Sequence, residues 1–263
     1  MKSIDRQTSK RAIAGGTALL VSMCFSGASA QEILAPGLEF ELGAGVLVAP
    51  AYEGSKDYRV SPFPLFNFGY LATRNGFTLG GGDGQGLSAR PSFRFLGPRE
   101  ASDHSELTGL EDTDAALELG AGVAYTMGAA SAFTDVRYGV IGHNGFVGEF
   151  GADYVMRPEA NTTITVGPRI SWASGNYMDE YFSVSSAESG ASGLDQFDAD
   201  AGFKSIGLEA SVRHDFNENW ALETGAGYNR LVGDAADSPI TDVGSKDQFS
   251  GKIGIVRKFR FGF

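Results

Sequence analysis

Ile253-Gly-Ile-Val-Arg-Lys-Phe-Arg-Phe-Gly-Phe263 is the stretch whose reading decides the fold. Side chains of an extended strand alternate between its two faces. Ile253, Ile255, Phe259, Phe261 and Phe263 therefore share one face, and Lys252, Lys258 and Arg260 share the other. An apolar, aromatic-rich strand of this kind has little use in water. In a transmembrane β-barrel it is what a closing strand needs in order to face lipid. One residue resists. Arg257 has the lipid-facing parity, where a mid-membrane arginine costs about 2–4 kcal/mol. The expectation is either a bulge near Val256 that turns Arg257 inward or snorkelling of its guanidinium to the headgroups.

The amino-terminal end agrees with export to such a membrane. Lys2, Arg6, Lys10 and Arg11 precede an apolar run from Ala12 to Phe25, followed by Ala28-Ser29-Ala30. This is the order of a secretory signal peptide, with cleavage before Gln31. Lys10-Arg11 is not a twin-arginine pair, and Met23 precedes Cys24 where a lipoprotein signal has a small residue, so the segment is read as Sec-type. The expected division is a signal peptide over 1–30 and one barrel domain over 31–263. Cys24 is the only cysteine, so the mature chain is expected to hold no disulfide, cysteine nucleophile or thiolate metal site.

The formal charge is −11. Removing the signal, with its four bases and one acid, leaves about −14, which argues against nucleic acid as a partner. No run after the signal approaches the roughly eighteen apolar residues of a membrane helix. Thirty-seven glycines and 11% aromatics fit many strands and turns.

Working back from the closing strand, ten segments alternate in this way, nearly all reaching the nine to eleven or so residues a tilted membrane strand requires. The links between them alternate short and long. Those at 71–77, 127–130, 157–161 and 217–219 are short, whereas 50–57, 96–114, 173–202 and 232–246 are mostly long. The one short link on the long side is at His143-Asn144. That is the asymmetry of an outer-membrane barrel with short periplasmic turns and long outer loops. The expected fold is all-β: a single antiparallel, up-and-down transmembrane barrel of ten strands in the outer membrane. Two further segments, Phe77–Gly80 and Tyr181–Val184, would raise the count to twelve.

On this register the inward faces carry charges of both signs in close balance. Glu118, Asp135, Arg137, Glu149, Arg169, Glu209, Arg213 and Glu223 form a candidate lumen network, because charges in a narrow barrel pair across it. The excess acid falls in the long links, where it forms a solvated rim or attracts cations. No loop has an EF-hand spacing, so no metal site and no cofactor is expected. Three histidines, His104, His143 and His214, accompany no G-x-S-x-G, H-E-x-x-H or P-loop motif, and an enzyme is not expected. The glycine run Gly80–Gly86 lacks dinucleotide spacing and reads as a turn or a barrel kink.

The long links carry a further signal. Ala49-Pro-Ala-Tyr-Glu-Gly-Ser-Lys-Asp-Tyr-Arg59, with Pro62 and Pro64 after it, Leu107–Asp112, Tyr177 with Tyr181-Phe-Ser-Val184, and Gly233–Ile240 together resemble the MipA/OmpV family (MltA-interacting protein) of outer-membrane proteins. Tyr52, Glu53, Gly54, Ser55, Asp234, Asp237, Ser238 and Pro239 are the family-like loop residues. The family's usual Tyr-Phe-Gly-Val is Tyr-Phe-Ser-Val here. The resemblance implies a non-enzymatic scaffold joining a lytic transglycosylase to a penicillin-binding protein in murein (peptidoglycan) growth and envelope assembly, with outer-membrane lipid and lipopolysaccharide as surroundings. It supplies no catalytic residues. The acidic loops leave two other readings open: a small cation-preferring channel or uptake protein, and a surface adhesin.

Overall fold

The computed structural model describes residues 35–75, 78–80 and 85–263, so the signal-peptide expectation over 1–30 lies outside the described residues. The described residues form one compact unit. Its strands are β1 (Gly37–Pro50), β2 (Tyr58–Ala72), β3 (Thr78–Gly80), β4 (Gly86–Leu96), β5 (Ala116–Met127), β6 (Ala130–Ile141), β7 (Phe146–Glu159), β8 (Thr162–Ala173), β9 (Gly202–Asp215), β10 (Trp220–Leu231) and β11 (Asp247–Gly262). They form one antiparallel sheet in the order β3-β2-β1-β11-β10-β9-β8-β7-β6-β5-β4, curled into a nearly closed barrel.

Among the described residues the sheet holds eleven strands where ten were expected. Ten strands are 11–16 residues long, and the eleventh, β3, has three. Thr78–Gly80 pairs with Tyr70–Ala72 at the end of β2, whereas β4 pairs only with β5. The short strand thus duplicates the start of an ascending pass, and the alternation of long and short links survives it. The other extra segment is not a strand. Tyr181 and Phe182 end the helix α1 (Gly175–Phe182), and Val184 makes only an isolated bridge with Phe197.

Among the described residues no backbone ladder joins β2 or β3 to β4. Proline sits on both borders of this seam, Pro62 and Pro64 in β2 and Pro91 in β4. Proline has no N–H to donate to a ladder and is favoured on edge strands and at bulges. Side chains span the gap instead. The rings of Phe66 and Phe93 lie 6.3 Å apart, and Arg59 Nη1 donates to the Pro98 carbonyl at 3.2 Å.

The wall is inside-out by the standards of a water-soluble protein. Leu119 and Phe150 are each 49% exposed, whereas Glu118 is fully buried. Lys252 reaches Glu209 at 3.7 Å, Lys258 reaches Glu39 and Glu41, and Arg260 Nε lies 2.6 Å from Glu39, so the basic face of β11 points into the barrel as its alternation requires. The bulge expected near Val256 is absent, since β11 pairs with β1 and β10 in unbroken register. Val256 stays buried, while Arg257 remains outward with its guanidinium 5.5 Å from the Trp220 ring and 5.2 Å from that of Phe259. The aromatic faces supply an electrostatic partner that makes a bulge unnecessary. No described helix is long and apolar enough to cross a membrane.

A capped barrel mouth as the candidate functional site

The four long links converge on one end of the barrel and pack there into a cap. It includes α1, α2 (Ser186–Ser192), α3 (Gly233–Asp237), α4 (Pro239–Asp242) and two single-turn 3-10 helices, Ala101–Asp103 and Ser105–Leu107. Helices this short are not stable alone, so packing must hold them. Two buried apolar clusters do so. One joins Tyr177, Met178, Tyr181 and Phe182 to Ala235 and Leu231, and the other joins Tyr52, Leu107, Leu110, Val184 and Ile240. Leu107, Phe182 and Ile240, from three different links, are fully buried.

The family-like residues account for how the first and last links dock. Gly54 has φ +90°, and a Cβ there would lie 2.7 Å from Thr241 Oγ1, so both backbone conformation and space favour glycine. Its N–H donates to Gln248 Oε1 and its carbonyl accepts from Ser245 N at 2.7 Å. Ser55 is fully buried, and its carbonyl accepts from Gln248 Nε2 at 3.1 Å. Ser238 caps α4 through Ile240 N and donates to the Phe182 carbonyl at 2.6 Å, with Pro239 opening that helix. Asp234 Oδ2 accepts from Asp200 N at 2.8 Å, whereas Asp237 is exposed and lies 3.5 Å from Lys246. α2 follows the Tyr-Phe-Ser-Val motif and opens with a reciprocal capping box between Ser185 and Glu188.

Glu53 fastens the cap to the wall. Its carboxylate descends to Lys204 Nζ on β9, 2.9 Å from each oxygen, and to Arg94 Nη2 on β4. The Tyr177 hydroxyl donates to the same carboxylate at 3.0 Å. Burial alone would raise the Glu53 carboxyl, but the two cations and their hydrogen bonds overcome it and hold it well below the ordinary carboxylate range.

Lys204 was not legible in the alternation, which sends it outward with Ile206 and Leu208. A bulge turns it in: Ser171 pairs with Ser205 and Trp172 with Phe203, leaving Lys204 as the unpaired extra residue. A lone lysine in an otherwise apolar row is the sequence signal that marks the place.

The eight candidate lumen charges form three groups rather than one network. Arg137 pairs with Glu118 at 3.0 Å and Glu149 at 3.7 Å, and Ser92 links it to Asp135, which also pairs with Arg90. Arg169 pairs with Glu209 and Asp153, and Arg213 with Glu223, Glu41 and Asp215. Phe133, inward and buried, lies between the first two groups, with Arg90 4.0 Å and Arg169 4.9 Å from its ring.

His143, in the β6–β7 turn, accepts from Gly145 N through Nδ1, so in the neutral ring the proton is on Nε2, which faces Glu118 at 3.4 Å. His214 meets the Thr162 hydroxyl at 2.9 Å. An open pocket of about 370 Å³ on the cap is lined by Arg99, Glu111, Glu180 and Glu188 among others, and burial pushes the Glu180 carboxyl up. Buried Arg99 crosses beneath it, donating to the Tyr181 and Glu111 carbonyls.

These features define a nearly closed, charge-filled antiparallel barrel with one mouth covered by packed loops. The family profile described as MltA-interacting protein MipA matches residues 42–259, and the chain belongs to that family. It is 28% identical over 214 residues to the MltA-interacting protein of Escherichia coli (strain K12), covering 78% of this chain and 84% of that one, and equally similar to that of Shigella flexneri. Among solved structures it is similar to an outer-membrane channel from Pseudomonas putida F1, at TM-score 0.46 and 15% identity, covering 89% of this chain and 99% of that one.

Proposed function

We propose that this chain is a non-enzymatic outer-membrane barrel acting as an interaction scaffold for murein synthesis, with a lytic transglycosylase and a penicillin-binding protein as its partners. The observation that carries this reading is the cap. Motifs from four separate links are used to build one packed body, and the chemistry of Glu53, Gly54 and Ser238 is spent on holding it together. A preformed surface binds without the entropic cost of ordering loops at the moment of association. The relatives' name, MltA-interacting protein, supports the partner class. The inward charges are largely engaged in ion pairs, which favours a structural interior over an ion-selective channel. The outward apolar wall supports placement in a lipid bilayer.

In-vivo crosslinking followed by capture of the tagged full chain from envelopes tests the proposal. A lytic transglycosylase should be enriched over a capture with an unrelated barrel of similar abundance. Equal recovery from both would remove the scaffold reading.

A further inference from the structure

Asp57, His104 and Glu106 each present one ligand atom, and the three atoms all lie within 4.8 Å of one another. We infer that they form a divalent transition-metal site of the Zn²⁺ class that staples the barrel seam at its capped end. None of the three takes part in the Glu53 anchor or the lumen ion pairs. No spacing motif reveals them, because Asp57 comes from the link before β2, and His104 and Glu106 come from the link after β4.

The donor set selects the ion. One imidazole nitrogen and two carboxylate oxygens suit Zn²⁺, Co²⁺, Ni²⁺ or Mn²⁺, whereas Ca²⁺ takes six to eight or so oxygen ligands. Bond lengths of about 2.0–2.2 Å place such donors roughly 3–3.5 Å apart. Asp57 is exposed and His104 and Glu106 are partly so, which leaves their side chains room to turn toward a shared ion. Two carboxylates this close repel, and a cation between them removes that cost. Lys56, whose field reaches Glu106, directs its ammonium to the Val243 carbonyl at 3.3 Å.

The surroundings are those of a prepared site. The Tyr52 hydroxyl donates to Glu106 Oε1 at 3.1 Å, and its ring meets His104 edge-on at 4.9 Å. Hydrogen-bonded outer partners of this kind orient metal ligands. The backbone is pinned on both sides: Asp57 O accepts from Ala51 N, Asp57 N donates to Ser55 Oγ, and His104 O accepts from Leu107 N. Its location gives the metal a task. The two ligand-bearing links flank β2 and β4, the borders that no ladder joins among the described residues. A bound ion would cross-link them at the mouth, beside the Arg59–Pro98 contact.

The test uses the mature full chain, purified in detergent without chelators, with ZnCl₂ and CoCl₂ as probes. Calorimetry should give one Zn²⁺ per chain, and Co²⁺ should produce a visible d–d band. Asp57→Asn, His104→Ala and Glu106→Gln should each weaken Zn²⁺ at least tenfold, and Zn²⁺ should raise the melting temperature of the unaltered protein but not of His104→Ala. Because a variant can disturb the cap, diethylpyrocarbonate labelling of the unaltered protein is read by mass spectrometry as well. Zn²⁺ should protect His104 and leave His214 reactive. No saturable binding at millimolar Zn²⁺, affinity unchanged in the three variants, or equal labelling of His104 with and without Zn²⁺ would each overturn the site.

Discussion

The wall and the cap are built from the same residue types with opposite orientation. On the wall, Leu119, Phe150, Ile253 and Ile255 face outward while Glu118 and Arg137 are buried. In the cap, Leu107, Phe182 and Ile240 are buried and the acids Asp237 and Glu188 lie toward the surface. The difference follows from the solvent each region meets. Lipid removes the penalty for exposed apolar groups and raises it for charges, so the wall turns its ions inward. Water drives apolar groups together, so the cap acquires an ordinary core. Glu53 stands where the two regimes meet, a cap residue whose partners belong to the wall.

That contrast is most severely tested at Glu53. Replacing it with Gln leaves Lys204 buried without its counter-charge and takes one partner from half-buried Arg94, with a loss of up to about 3–5 kcal/mol, most of it from Lys204. The cap should become accessible to limited proteolysis within 173–202 while amide exchange in the strands stays unchanged. Unchanged proteolysis would mean that the two apolar clusters hold the cap without this anchor.

Acid should produce a smaller version of the same effect. The Glu53 carboxyl titrates below its ordinary value near 4.5, so its stabilising contribution is complete above that value and is lost as pH falls toward the lowered one. Glu180 has the opposite sign, because its raised carboxyl gains stability on protonation as pH falls. The informative quantity is therefore the difference in amide exchange of the cap between the unaltered chain and Glu53→Gln. It should be constant from pH 8 to 6 and shrink below pH 4.5. A difference independent of pH down to 3 would deny the ion-pair account.

The smallest effect expected is at the helix α2. Ser185→Ala removes one half of its capping box, worth about 1 kcal/mol. Exchange should quicken at Glu188 and its neighbours and leave β8 and β9 unaffected. Spread of the effect into those strands would show that cap and wall are one cooperative unit.

Much of the wall was legible because a strand has period two and lipid allows only one face to be apolar. The closing strand, the ten long strands, the alternating links and the inward ion-pair members all follow from that rule. It failed where the backbone departs from the period. Lys204 is turned inward by an extra residue in β9, and no alternation can show that. Thr78–Gly80 is too short to carry a pattern, and Tyr181-Phe-Ser-Val184 is apolar enough for a strand yet ends a helix because Phe182 has a core to enter.

What the sequence by itself determined is the wall: which residues face outward, where the links are long and which family the links resemble. Those properties depend on nearest neighbours along the chain and on the surrounding solvent. The cap, the three-way contact of Glu53 and the meeting of Asp57 with His104 and Glu106 were decided only by the tertiary structure. They join groups dozens to more than a hundred residues apart, and such pairings are set by how a closed sheet brings its loops to one end, which no local period encodes.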